Sequence, residues 1–269
     1  MGHIPGDADI AAVAGALADR SRAKMLLALG DGRALAATTL AMEAGVAPST
    51  ASAHLAKLVS AGLLVVEHHG RHRYYRMARQ EVGELLETLA RLAPPSPVRS
   101  LREGTRANAL RAARTCYDHL AGQLGTAIMA AFLDREALVG GDGTFHPAST
   151  DPASTDPAST DSASTHPPPT QRDRLSAPGW DCDYRVTEAG RTWMDELGVK
   201  VPVGTGRPLI RYCVDWSEQR HHLAGALGAA LLVRLTELGW LRRSPTSRAV
   251  HVTDAGRCGL ATSFGVELA

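Results

Sequence analysis

Cysteine is scarce in this chain, with four residues among 269. That is too few for a disulfide framework and fits a reduced cytoplasm as the simplest setting. Long apolar runs are missing too. The longest, Leu223 to Val233, is far short of the about 20 residues that span a bilayer. The start of the chain carries Asp7 and Asp9 and has no basic stretch ahead of an apolar core, so no secretory signal is expected. A membrane partner is therefore not expected either. Net charge is only +1, and no global field drives the chain onto nucleic acid. Catalytic signatures are equally thin. There is no Gly-x-Ser-x-Gly elbow and no phosphate-binding loop beyond the weak Val203-Gly204-Thr205-Gly206. Cys116 near His119 lacks an evident oxyanion device, so no enzyme is expected.

What is present concentrates in Ala47 to Met77. Pro48 suits a first helical position, where its missing N–H costs nothing. Ala51, Leu55, Leu58 and Val59 then recur at helical spacing as one apolar face. Gly62 ends the helix, since a left-handed C-terminal residue is cheapest as glycine. Leu63 to Glu67 and Arg73 to Met77 flank Gly70 as a hairpin. The opposite helix face offers Ser49, Ser52, Ala53, Ala56 and Lys57, small enough to press into a DNA major groove about 12 Å wide. Lys57, Arg71 and Arg73 can neutralise phosphates. From Ala44 to Arg79 there are five Lys or Arg against the single Glu67, a clustered basic face of the kind that sets DNA affinity. His68, His69 and His72 sit beside Arg71 and Arg73 and read as phosphate contacts rather than a metal site.

From Leu17 to Met77 the chain resembles the ArsR/SmtB-type winged helix-turn-helix repressors. The matching pieces are Leu17-Ala18-Asp19-Arg20-Ser21-Arg22, Ser49-Thr50-Ala51-Ser52-Ala53-His54-Leu55, Ala61-Gly62-Leu63-Leu64 and Gly70-Arg71-His72-Arg73-Tyr74-Tyr75. The resemblance implies a homodimer on double-stranded DNA, with two recognition helices in successive major grooves of a near-palindromic operator. It also implies repression relieved by a small-molecule or metal effector. Ser49, Thr50, Ser52, Ala53, His54, Lys57, Arg71, His72 and Arg73 become the expected DNA contacts. No cofactor is expected to be required for DNA binding.

In chain order, Ile10, Val13, Ala14 and Leu17 form a first amphipathic helix. A second is expected to be capped by Ser21, with Met25, Leu26 and Leu29 inward and Gly30-Asp31-Gly32 ending it. A third is expected at about Leu35 to Ala44, turning at Gly45. A fifth, Glu81 to Leu92, is apolar at Val82, Leu85, Leu86 and Leu89. In the resembled family the first and fifth helices carry the dimer interface. Its sensors often use cysteines on the third helix or paired His and carboxylate ligands on the fifth. Here the third helix has no cysteine, and Glu81, Glu84 and Glu87 stand without histidine, reading as a solvated face. Pro94-Pro95-Ser96-Pro97 then breaks the chain. A helical region rich in Ala, Leu and Arg is expected from about Arg99 to Val139.

The remainder contains an internal repeat. His119-Leu120-Ala121-Gly122-Gln123-Leu124-Gly125 matches His222-Leu223-Ala224-Gly225-Ala226-Leu227-Gly228, and Arg185-Val186-Thr187-Glu188-Ala189-Gly190 matches His251-Val252-Thr253-Asp254-Ala255-Gly256. Gly198-Val199 likewise matches Gly265-Val266. His222 follows His119 by 103 residues, whereas His251 follows Arg185 by 66. A Pro-Ala-Ser-Thr-Asp tract from His146 to Ser164 accounts for the difference. It has no large apolar residue and is expected to be a disordered loop at a hairpin tip. Each copy reads as helix, strand, loop, strand and closing helix, with Thr187 and Thr253 as caps.

The expected fold class is mainly α with small β-hairpins. Residues 1–93 form an N-terminal winged helix-turn-helix, and 98–141 with 179–269 form a pseudo-repeat of helix and wing-like units serving as effector or dimerisation domain. Residues 142–178 are the disordered insertion. Two sites there could sense an effector. Cys116 and His119, three apart on an expected helix, and Cys213, Asp215, His221 and His222 in the second copy could form a mixed Cys/His cluster if pseudo-symmetry brings them together. Such a cluster would suit zinc, a softer metal or thiol oxidation, or the residues could simply pack. Trp180, Trp193, Trp216 and Trp240 all lie in this part and suit an apolar ligand pocket or core. The expected function is a dimeric DNA-binding repressor. The alternatives are a metal- or thiol-redox-sensing repressor using Cys116, His119, Cys213 and His222, and a partner-binding module without DNA affinity.

Overall fold

A computed structural model describes residues 7–69, 72–94, 97, 100–145, 183–202 and 207–267. The first unit runs α1 (Ile10–Leu17), α2 (Arg20–Ala28), β1 (Leu35–Ala36), α3 (Ala37–Ala44), α4 (Pro48–Ser60), β2 (Leu64–His69), β3 (His72–Met77) and α5 (Gln80–Leu92). Asp19, not Ser21, caps α2, because its carboxylate accepts from the backbone N–H of both Ser21 and Arg22. The third helix starts two residues later than expected. Leu35 and Ala36 pair antiparallel with Tyr75 and Tyr74 instead, giving a three-stranded sheet in the order β1-β3-β2. That pairing is long-range and leaves no local signature. Gly45 caps α3 in the left-handed region, at φ 70°, as glycine can at little steric cost. Met25, Leu26, Leu29, Leu40, Leu55 and Leu58 close a core beneath the sheet. Fully burying each such side chain contributes about 1.5–3 kcal/mol as an upper figure.

The second unit opens with α6 (Leu101–Ala112), β4 (Arg114–Cys116), β5 (His119–Ala121), α7 (Gly122–Asp134), β6 (Leu138–Val139), β7 (Arg185–Val186) and α8 (Glu188–Leu197). It continues β8 (Arg211–Val214), β9 (His221–Ala224), α9 (Gly225–Glu237), β10 (Leu241–Arg243), β11 (Val250–Val252) and α10 (Asp254–Phe264). The region from Arg99 to Val139 is thus not one helical stretch, because the β4–β5 hairpin interrupts it. Each copy has the order hairpin, helix, hairpin, helix, and the leading hairpin is an element beyond the sequence expectation. Thr187 and Thr253 cap α8 and α10 through Gly190 and Gly256, at 3.0 and 2.9 Å. The insertion falls between β6 and β7; residues 146–182, with Trp180 and the expected disordered tract, lie outside the described residues, as do 203–206.

The copies interlock. Helix α7 packs chiefly on β9 of the second copy, and α9 on β5 of the first. The glycines that end the seven-residue repeat, Gly125 and Gly228, make this approach possible. A Cβ on Gly228 would stand 3.2 Å from the Cβ of His119, and one on Gly125 would stand 3.5 Å from that of His222. Leu124, Ile128, Phe132, Leu227, Leu231 and Leu260 fill one core from both copies. Trp193 packs at 4.7 Å on Phe132 and 5.2 Å on Phe264, and Trp240 lies against the same core. Both are partly buried against that core. No described helix is long and apolar enough to cross a membrane.

Candidate nucleic-acid interface and a buried Cys/His cluster

Helix α4 buries Ala51, Leu55 and Leu58 completely. Ser49, Thr50, Ser52, Ala53, Ala56 and Lys57 are all exposed on its other faces. His54 behaves differently. It is partly buried, and its Nδ1 lies 3.5 Å from the Arg22 guanidinium and 3.8 Å from the Asp19 carboxylate, so it ties α4 to α2. The wing pairs in register from Leu64↔Met77 to His69↔His72, with Arg73 exposed and Arg76 paired to Glu67. Arg71 lies outside the described residues, and for His72 only the backbone is placed.

The second site lies between the copies. Cys116 and His119 are not on a helix; they face each other across the β4–β5 hairpin, as Cys213 and His222 do across β8–β9. The two hairpins bring the four ligand atoms within 4.8 Å of one another. The imidazole centroids of His119 and His222 are 5.2 Å apart. Cys116, His119 and His222 are buried, Cys213 half-buried. Among the described residues, Nε2 of His119 and both ring nitrogens of His222 have no hydrogen-bond partner. The neighbouring Cys213 thiol, then burial, push the Cys116 thiol well up. Burial, reinforced by His119, holds His222 well below the ordinary imidazole value. Burial also resists charge on His119, but the Cys116 sulfur and Asp118 outweigh it and raise it to about 9. With Cys116 protonated, the Asp118 carboxylate, 3.3 Å from Nδ1, is the support that remains. Arg207 grips Asp118 through two nitrogens in turn.

A polar network extends from this cluster to α5. Asp215, 3.7 Å from His222 Nδ1, accepts from the Arg114 guanidinium at 2.9 Å and from the Gly122 backbone N–H at 2.6 Å. Burial opposes its ionisation, but Arg114 first and His222 next hold it well below the usual carboxylate range. Arg114 also stacks 4.6 Å over the Trp216 ring and lies 3.8 Å from Glu87 of α5. Glu87 accepts its hydrogen bond from the buried Arg248. It is therefore buried, correcting the expectation of a solvated carboxylate face. A neighbouring seam joins the units: Asp31 pairs with Arg33 and Arg243, and Arg33 donates to the carbonyls of Ser244 and Ser247.

Arg114, Asp215 and Glu87 could be foreseen only in part. Arg-x-Cys recurs as Arg114-Thr115-Cys116 and Arg211-Tyr212-Cys213. The signal is masked because His119 follows its cysteine by three residues and His222 by nine.

A helix with one buried stripe, an exposed small-residue face and a following hairpin defines a winged helix-turn-helix unit. The family profile described as a helix-turn-helix domain matches residues 17–67. An uncharacterized HTH-type transcriptional regulator of Bacillus subtilis (strain 168), YdfF, is 35% identical over 262 residues, covering 97% of this chain and 99% of the relative. The chain belongs to this family of DNA-binding HTH-type transcriptional regulators. Among solved structures, the homodimeric winged helix-turn-helix DNA-binding domain (fragment 1-100) of Mb0332 from Mycobacterium bovis, a possible ArsR-family regulator, is 32% identical and spans 32% of this chain and 86% of that one, with a TM-score of 0.28. Reduced HlyU from Vibrio cholerae N16961 is 27% identical over 32% of this chain and 88% of its own, with a TM-score of 0.29.

Proposed function

We propose that the protein is a cytoplasmic, homodimeric repressor without enzymatic activity, which binds a near-palindromic operator and is released by an effector acting on residues 98–141 and 179–269. Ser49, Thr50, Ser52, Ala53 and Lys57 enter the major groove, and Arg71, His72 and Arg73 meet phosphates along the wing. The observation that carries this reading is the division of α4 into a fully buried stripe and an exposed face of small and basic residues. Leu85 and Leu89, 36% and 40% exposed on α5, and Leu92 at 78% are apolar surface that a second copy would cover.

Fluorescence anisotropy on DNA from the region upstream of its own coding sequence, titrated with salt, tests the reading. A tight complex with a steep salt slope, weakened in Lys57→Ala/Arg73→Ala, is expected. Binding no tighter than to random DNA, or a double variant that binds as well as the parent, contradicts it.

A further inference from the structure

We propose that Cys116, His119, Cys213 and His222 form a four-ligand site for one divalent ion of the zinc class, clamped between the two copies of the repeat. Each hairpin supplies one sulfur and one imidazole as a cross-strand pair. In a tetrahedral site with Zn–S near 2.3 Å and Zn–N near 2.0–2.1 Å, ligand atoms lie roughly 3.3–3.8 Å apart. The four atoms here already lie within 4.8 Å of one another, so closing the shell takes shifts of about 1 Å. Ordinary side-chain adjustment supplies that.

The buried nitrogens point to an ion rather than to packing or a disulfide. Leaving a buried polar atom unpaired costs about 1–3 kcal/mol, and both histidines carry such atoms. A Cys116–Cys213 disulfide would consume the sulfurs and leave those nitrogens unsatisfied. A metal ion uses all four groups at once. The arrangement around His119 fits as well. Its Nδ1 faces Asp118, itself held by Arg207, which leaves Nε2 for the ion; a carboxylate behind a ligating histidine fixes the ring and raises its basicity. His222 Nδ1 stands 3.7 Å from the Asp215 carboxylate, too far for a hydrogen bond as placed but near enough for a small ring shift on ligation to make one. Two thiolates and two neutral imidazoles balance a divalent charge, so the filled site adds no net charge to a dry interior. Sulfur and nitrogen donors exclude calcium and magnesium, which take oxygen. The donor set is complete, with three of its four residues buried and Cys213 half-buried, and four protein ligands are what structural zinc sites use.

The experiment is a titration of the reduced, metal-stripped full chain with Co(II) and Cd(II), following the tetrahedral visible bands of cobalt and the thiolate-to-cadmium charge-transfer band. The expected result is a break at one ion per chain, abolished in Cys116→Ser/Cys213→Ser and retained in Cys182→Ser/Cys258→Ser. Circular dichroism establishes that the variants are folded. Should the first pair fail to fold, mapping of alkylation on the parent protein decides: Cys213, which is half-buried, loses its reactivity when Zn(II) is added and regains it with a chelator. The proposal is overturned by the absence of a break, by a break that survives loss of both sulfurs, or by Cys213 alkylation indifferent to zinc. None of these readouts involves DNA, so the site fails or stands apart from the repressor reading.

Discussion

Two helix-glycine-hairpin units in this molecule share a local pattern and meet opposite fates. In the first, α4 is followed by Gly62 and the β2–β3 wing. In the second, α9 is followed by Gly239 and β10–β11. Both glycines are left-handed, with φ 68° and 70°. Yet α4 buries only Ala51, Leu55 and Leu58, whereas α9 is wrapped by protein at Leu227, Leu231, Leu232 and Leu235. The basic residue Arg73 of the wing faces solvent. Arg243 and Arg248 of the later hairpin turn inward, onto Asp31 and Glu87. A winged pattern in sequence therefore specifies a shape; whether its arginines meet DNA or the protein's own carboxylates depends on what packs around the helix.

The inward-turned arginines are where this contrast is most costly to break. Glu87→Ala leaves the buried Arg248 without its carboxylate acceptor, while Arg114 keeps Asp215, and the expected loss is about 3–5 kcal/mol in urea denaturation. A loss under about 1 kcal/mol would mean that Glu87 is not the partner that keeps Arg248 inside. The next effect concerns space. A Cβ on Gly256 would stand 2.1 Å from the Trp240 carbonyl oxygen, while one on Gly62 meets nothing within 4 Å. Gly256→Ala should therefore cost about 1–3 kcal/mol or more through overpacking. Gly62→Ala should cost only the about 1–2 kcal/mol of a left-handed backbone. Equal midpoint shifts would erase this difference between the units. The smallest stability effect is the most specific one. Arg73→Ala is expected to lower the salt slope of DNA binding by about 1 and to move stability by no more than about 0.5 kcal/mol. Arg243→Ala should do the reverse, lowering stability and leaving the slope unchanged; a reduced slope would place the later hairpin on DNA as well.

The same contrast explains what could be read in advance. Helix α4, its Pro48 start, the Gly45 turn and the wing follow from periodicity and turn chemistry within a few residues, and the structure has them. The two threonine caps of the repeat were equally legible. Pairings made at long range were not. Leu35-Ala36 is too short to register as a strand without its partner at Tyr74-Tyr75. The three-residue strands Arg114–Cys116 and His119–Ala121 hide in a stretch whose composition favours helix. That error placed Cys116 and His119 on one helix face, whereas a hairpin in fact opposes them. Their meeting with Cys213 and His222 followed from recognising the repeat, although the network through Asp215 and Arg114 to Glu87 did not. His54 is instructive in the other direction: its motif position suggested the DNA face, and the geometry turns it toward Asp19 and Arg22.

The exchange of partners between α7 and α9 has a consequence for the chain as it leaves the ribosome. The strand on which α7 chiefly rests, β9, is encoded about a hundred residues downstream of β5. At 5–20 residues per second, roughly 5–20 s pass with α7 lacking β9 and resting on the neighbours already made, α6, β4, β5 and β6. The first copy therefore completes its packing only after its counterpart is translated. A chain ending before β9 would leave that half permanently without its mate.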